Sequence, residues 1–250
     1  MKKNLVLSEL SLNELKKYEH DIKLAIIPVG STEQHGPNMV FSTDSYLAFE
    51  LSKKIGEHFF PKVIVCPPVQ FGNSYHHMDF IGSITLRPET FIQTIMDITE
   101  SLKKHQIEQI LLLNGHGGNR YALGVAVNKI KFELGLKVAW IGPDLGDDLL
   151  EKEHGFSIRG HACEAEASMA LYLAPWLVKK ESLSPGILKN TLYKKRNWWR
   201  QVPWSFSEIT KNGALGDATN ASFELGERLT EHVLKKYKEF IGEYFFNESI

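Results

Sequence analysis

Glu33, His35 and Asp44 lie within twelve residues of one another in the stretch Gly30-Ser31-Thr32-Glu33-Gln34-His35-Gly36-Pro37 and its continuation, directly after an apolar run. Two carboxylates and an imidazole are the ligand types that hold zinc, manganese or iron in hydrolytic sites. A second segment, Asn114-Gly115-His116-Gly117-Gly118-Asn119, sets an imidazole on a glycine-rich turn, whose backbone freedom lets His116 project sharply. Such turns also cradle phosphate before helices, but no Gly-Lys-Ser/Thr element follows, and the spacing fits neither the P-loop nor the dinucleotide fingerprint. The third segment, Gly160-His161-Ala162-Cys163-Glu164-Ala165-Glu166-Ala167-Ser168, places an imidazole and two carboxylates at a predicted helix start. There Glu164 and Glu166 complement the helix dipole and His161 suits the cap, while the alanines leave room for a ligand. A fourth, Tyr75-His76-His77-Met78-Asp79-Phe80-Ile81-Gly82-Ser83, carries two adjacent histidines. His76 reads equally well as a surface residue, and His77 is the substrate-binding candidate.

A pair of divalent ions roughly 3.5 to 4 Å apart needs a bridging carboxylate and flanking ligands, and then activates water while polarising a carbonyl. Asp44 has two oxygens that would bridge. Glu33 and His116 would complete one shell, and His35 and Glu164 the other. His161 and Glu166 would then be the catalytic pair that moves a proton to a leaving nitrogen. Cys163 reads as a packed thiol, since metal-activated water makes a thiolate nucleophile unnecessary.

The elements that must position these groups are read from apolar periodicity. Short runs rich in Ile, Val and Leu predict buried strands at 24–29, 63–67, 107–113 and 137–141. Helical spacing falls between them at 44–59, 88–105 and 119–134, and again at 164–173 and 222–244. Pro88 and Glu89 suit a first helical turn. Strand and helix in alternation predict a mostly parallel sheet covered on both faces. Ligands gather beyond the carboxyl ends of such strands, which places Glu33, His35 and His116 on one edge. Residues 181–220, with Pro, Gly and the tryptophans Trp198, Trp199 and Trp204, read as an elaborated loop region. The tryptophans suit either a subunit contact or stacking on a flat substrate.

The chain of 250 residues, 43% of them hydrophobic, supports one α/β domain spanning 1–250. Its formal net charge of -1 carries no electrostatic footprint of a nucleic-acid binder, and Lys194-Lys195-Arg196 reads as a solvated loop. Cys66 and Cys163 are too few for a disulfide framework, and no stretch reads as a signal peptide or membrane span. The expectation is a cytoplasmic protein that binds a small molecule and neither nucleic acid nor membrane.

Together these segments resemble the creatininase (creatinine amidohydrolase) family. The matching pieces are Pro28 to Pro37 with Asp44, His77 to Ser83, Asn114 to Asn119 and His161 to Glu166, with Gly213-Ala214-Leu215-Gly216-Asp217 as a weaker late motif. The resemblance implies a three-layer α/β/α sandwich, a two-metal centre, hydrolysis of a non-peptide or small cyclic C–N bond, and a hexamer built from dimers. On the matching positions it implies that Glu33, Asp44 and His116 bind one ion and His35 with Asp44 the second, either Glu164 or its rival Glu166 completing the second shell. The family pattern carries a glutamate two residues after the histidine matched by His116, where this chain has Gly118. Ile81 stands for an expected proline, Cys163 for a glycine and Ala167 for a threonine. The Gly117-Gly118 form of the loop is more similar to members that deformylate pyrimidine intermediates or trim a modified peptide.

The sequence therefore predicts a metal-dependent amidohydrolase with two Zn, Mn or Fe ions acting on a small cyclic amide or formamide. The competing expectation is a member of the same fold that binds metal or ligand without catalysis, and a phosphate-binding transferase built on the glycine turn is a third.

Overall fold

The computed structural model describes residues 4–154, 160–189 and 202–248. In chain order the elements are β1 (Leu5–Val6), α1 (Leu12–Leu15), β2 (Leu24–Val29), α2 (Thr43–His58), β3 (Val63–Val65), α3 (Pro88–Lys104), β4 (Gln109–Asn114), α4 (Arg120–Leu134), β5 (Lys137–Ile141), α5 (Asp147–His154), α6 (Glu164–Leu173), α7 (Phe206–Ile209) and α8 (Phe223–Ile241). The five strands form one parallel sheet in the order β1-β3-β2-β4-β5.

Strand residues alternate between two cores because successive side chains point to opposite faces of a sheet. Leu24, Ile26, Val63, Val65, Leu111 and Leu113 pack on one face against α2, α6 and α8. Ala25, Ile27, Val29, Ile64, Ile110 and Leu112 pack on the other against α3 and α4. The result is the three-layer α/β/α sandwich the sequence predicts. Each fully buried Leu or Ile of this sheet contributes about 1.5–3 kcal/mol through removal from water.

The predicted strands and long helices are present with ends moved by a few residues: β3 stops at Val65 and β4 begins at Gln109. Strand β1 and helices α1 and α5 carry no periodicity long enough to read. The region 181–220 is irregular where described, apart from α7 and short 3-10 turns at Lys180–Ser182 and Ala218–Asn220. Trp198, Trp199 and Lys194 to Arg196 lie outside the described residues. Among the described residues no helix is long and apolar enough to cross a membrane.

Candidate metal centre

Strands β2 and β4 are neighbours with Val29 opposite Asn114, so the loops after them leave the sheet side by side. Both loops close on the first turn of α2. A Cβ on Gly30 would lie 2.3 Å from Ser45 Cα, and one on Gly115 would lie 2.2 Å from the Asp44 carbonyl oxygen. Only glycine allows that approach, and it brings Glu33, His35, Asp44 and His116 together. Asn119 fixes the arrangement: its amide donates to the Gly30 carbonyl at 3.0 Å and to Asn114 Oδ1 at 3.1 Å, while its Oδ1 accepts the Asn73 N–H at 2.9 Å.

The third segment arrives through the late motif. His161 pairs antiparallel with Leu215, and Gln34 Nε2 donates to the Gly213 carbonyl at 3.0 Å. Ala162 adopts φ 51, a left-handed conformation unfavourable for a residue with a Cβ. Its N–H donates to Glu166 Oε2 at 2.6 Å, which ties the turn to α6.

Three histidines share one design. His35 Nδ1 donates to the Glu33 carbonyl at 3.2 Å, His116 Nε2 to the Asn73 carbonyl at 3.1 Å, and His161 Nε2 to the Gln34 carbonyl at 2.7 Å. A carbonyl accepts only, so these contacts fix each tautomer. The other nitrogens face carboxylates: His35 Nε2 lies 3.1 Å from Asp44 Oδ1 and 3.6 Å from Glu166 Oε1. His116 Nδ1 lies 3.1 Å from both Glu33 Oε2 and Asp44 Oδ2, and His161 Nδ1 lies 3.7 Å from Glu33 Oε1. An imidazole whose far N–H is held by a carbonyl is the usual arrangement of a metal-ligating histidine. Asp44 Oδ2, buried, finds no well-aligned hydrogen bond. A buried carboxylate oxygen without a well-aligned donor fits a cation.

Ligand atoms of Glu33, His35 and Asp44 all lie within 4.8 Å of one another, as do those of His35, His161 and Glu166, of Glu33, His77 and His161, and of Glu33, His76 and His116. The electrostatics match. Burial pushes the His35 pKa down, but the Glu166 and Asp44 carboxylates outweigh it and hold it well above the ordinary value. Burial likewise disfavours the His116 cation, yet Glu33 and Asp44 raise its pKa to about 10. Burial disfavours ionised Asp44 too, but His35 and His116 hold its carboxyl below the usual range. His161 and His77 are shifted well down, chiefly by burial and then by neighbouring imidazoles.

Of the residues singled out from sequence, Glu33, His35, Asp44, His116, His161 and Glu166 come together. Glu164 does not join them: its Oε2 accepts the Asp217 N–H at 2.8 Å, and it lines a separate cavity with Pro185, Gly186 and Asp217. His77 is in the cluster and borders the main cavity. Its Nδ1 accepts from Gln34 Nε2 at 2.8 Å, so its Nε2 donates to Glu33 Oε1 at 3.2 Å, and no nitrogen is left for a substrate. Cys163 is buried, and that burial, reinforced by Glu166 and Glu164, pushes its thiol up to about 12.

Sequence reasoning missed Gln34, Ser74 and Phe206. Ser74 Oγ donates to Glu33 Oε2 at 2.7 Å. Phe206 stacks on His77 with centroids 4.3 Å apart and meets His161 edge-on at 4.7 Å. No local pattern distinguishes these residues. A cavity of about 620 Å³ opens from Glu33, His116 and His161 past Tyr75, Tyr121 and Trp204.

The family profile described as "Creatininase: Creatinine amidohydrolase" matches residues 8–241. The chain is 28% identical over 226 residues to the mycofactocin precursor peptide peptidase of Mycolicibacterium smegmatis, covering 89% of this chain and 85% of that one. It is similar in structure to a Bacteroides fragilis protein assigned as a creatinine amidohydrolase, with TM-score 0.82 and 26% identity over 98% of this chain and 97% of that one. A creatininase mutant of the Zn–Zn type superposes with TM-score 0.79 at 25% identity, covering 97% and 99% of the two chains. By the span of the profile match, the chain belongs to the creatininase family.

Proposed function

We propose that this chain is a metal-dependent amidohydrolase that cleaves the C–N bond of a small cyclic amide or formamide, working as one domain over 1–250. The observation that carries the reading is the convergence of three carbonyl-clamped imidazoles on the carboxylates of Glu33, Asp44 and Glu166. Glu33, Asp44 and His116 would hold one divalent ion, and His35, Asp44 and Glu166 a second, with Asp44 shared. Glu166 takes the place expected for Glu164. Zinc, manganese and iron all suit this N/O donor set. Bound there, such ions supply Lewis acidity toward a carbonyl and bring the pKa of water toward neutrality.

The chain's own groups supply the rest. His161 stays neutral at neutral pH, so its Nδ1 lone pair takes up the proton of the attacking water and returns it to the leaving nitrogen. Gln34 and His77 hold Glu33 in one orientation. The cavity of about 620 Å³ lies in the range of small-molecule sites, and Tyr75, Tyr121, Trp204 and Phe206 give it flat walls suited to a planar ring. A homo-oligomer, hexameric by resemblance, and a cytoplasmic location complete the proposal; Ile81 at 97% and Phe132 at 80% exposure are apolar surface that assembly would cover.

The test loads purified protein with zinc or manganese and screens creatinine, cyclic imides, formamidopyrimidines and a short peptide. Metal-dependent hydrolysis of a small amide is expected. Cleavage of the peptide alone would overturn the substrate class, and tight retention of a small amide without turnover would establish the binding-only alternative.

A further inference from the structure

Residues Tyr75–His77 form one 3-10 turn, and its two histidines part company. His77 is buried with both nitrogens engaged. His76 is half-buried, lines the main cavity, and among the described residues neither of its nitrogens has a hydrogen-bond partner. Its ring lies nearly parallel to that of His116, with centroids 5.4 Å apart and an interplanar angle of 14°. One of its nitrogens lies within 4.8 Å of ligand atoms of both Glu33 and His116.

The ring also lies against Gly118. A Cβ built on Gly118 would meet the Asn73 carbonyl oxygen at 2.2 Å, His116 Nε2 at 2.4 Å and His76 Cε1 at 2.6 Å. The Asn73 carbonyl and the His116 ring already exclude a side chain at position 118, and the His76 ring packs against the same bare glycine. The absence of a Cβ at 118 lets the Asn73 carbonyl, the His116 ring and the His76 ring meet over one glycine, so the side chain that reaches Glu33 and His116 from this side is an imidazole.

We propose that His76 is a further protein ligand of the cation that Glu33 and His116 would hold, its ring packed over the bare backbone of Gly118. This rests on the metal-centre reading above. An added neutral nitrogen raises the number of protein donors on that ion without altering the charge of the site. It would give that position one more protein donor than the position at His35 and Glu166, so the two would differ in affinity.

The test compares wild type with His76→Ala and His76→Asn, loaded with Co(II) for visible absorption, which reports coordination number, and with zinc for chelator competition. The expected result is a changed Co(II) spectrum and about tenfold or greater weakening of one of the two zinc sites, the other unchanged. His76→Asn, which keeps a polar side chain, carries the same expectation should His76→Ala fail to fold. Two zinc ions bound by wild type, with affinities within twofold and an identical Co(II) spectrum in the variant, would overturn the role of His76 alone. Absence of divalent-ion binding by wild type would instead overturn the metal-centre reading on which it stands.

Discussion

Gln34 Nε2 donates to His77 Nδ1 at 2.8 Å, and that one bond decides which way His77 faces Glu33. With Nδ1 accepting, the remaining proton sits on Nε2 and is given to Glu33 Oε1 at 3.2 Å. The carbonyl of Gly213 completes the chain by accepting the other Gln34 amide proton at 3.0 Å. Glu33 is thus aimed by a relay running from the late glycine motif to the loop after β2.

Removing the relay leaves the proposed ligands in the chain but loosens their geometry. Outer partners of metal ligands typically account for 10–100-fold in affinity. His77→Ala is expected to weaken zinc binding by about that factor, and Gln34→Ala by somewhat less. Chelator competition on the two variants measures this directly. Wild-type affinity in both would show that Glu33 is oriented by something else.

The two acidic residues at the start of α6 give a sharper contrast. Positions 164 and 166 are about 200° apart around a helix, so a cation on one side of α6 meets only one of them. Glu166 lies 3.6 Å from His35 Nε2, whereas Glu164 accepts the Asp217 N–H. Elemental analysis of Glu166→Gln is expected to show one ion lost, and Glu164→Gln should keep the full complement. The reverse pattern would return the ligand role to Glu164.

That pair also shows where sequence reasoning stops. Glu33, His35, Asp44 and His116 are legible because ligand-type residues follow apolar strands, and because glycines stand where the backbone must pass close to a helix. The parallel sheet is legible because buried strands are short, apolar and separated by helical periods. The choice between Glu164 and Glu166 depends on the rotation of α6 against a turn at residues 213–217, some fifty positions away. The positive φ of Ala162, in the turn that leads into α6, has no glycine to mark it. His76 and His77 are chemically identical neighbours, parted only by the turn that carries them. Strand β1, two residues long, is strand only because Leu5 and Val6 find Ile64 and Val65 beside them.

Gly115 offers a test of the packing that builds the centre. A Cβ there would press on the Asp44 carbonyl oxygen, which belongs to the first turn of α2 and has no freedom to withdraw without moving Asp44 itself. Overpacking of this kind costs about 1–3 kcal/mol, which lowers the melting temperature by roughly 2–4 °C per kcal/mol in a chain of this size. Gly115→Ala should therefore melt several degrees early and bind zinc weakly. Gly117→Ala is the control, since nothing lies within 4 Å of its Cβ. Equal melting of the two variants would mean that the loop accommodates the methyl group freely.

Proton balance gives the last test, and its sign follows from the histidines. Carboxylate neighbours raise the His116 pKa to about 10 and hold that of His35 well above its ordinary value, so near neutral pH both carry protons on the nitrogens that face Asp44. Those nitrogens donate lone pairs only when deprotonated, and metal binding therefore expels the protons. Asp44, held ionised, contributes none. Adding zinc to protein in a pH-stat near neutrality should call for about two equivalents of base, falling to about one in His35→Asn. By the same linkage, affinity weakens as pH falls, and it strengthens as pH rises toward the His116 pKa. Zinc uptake with no base consumed would mean that these imidazoles are not the groups the cations displace protons from.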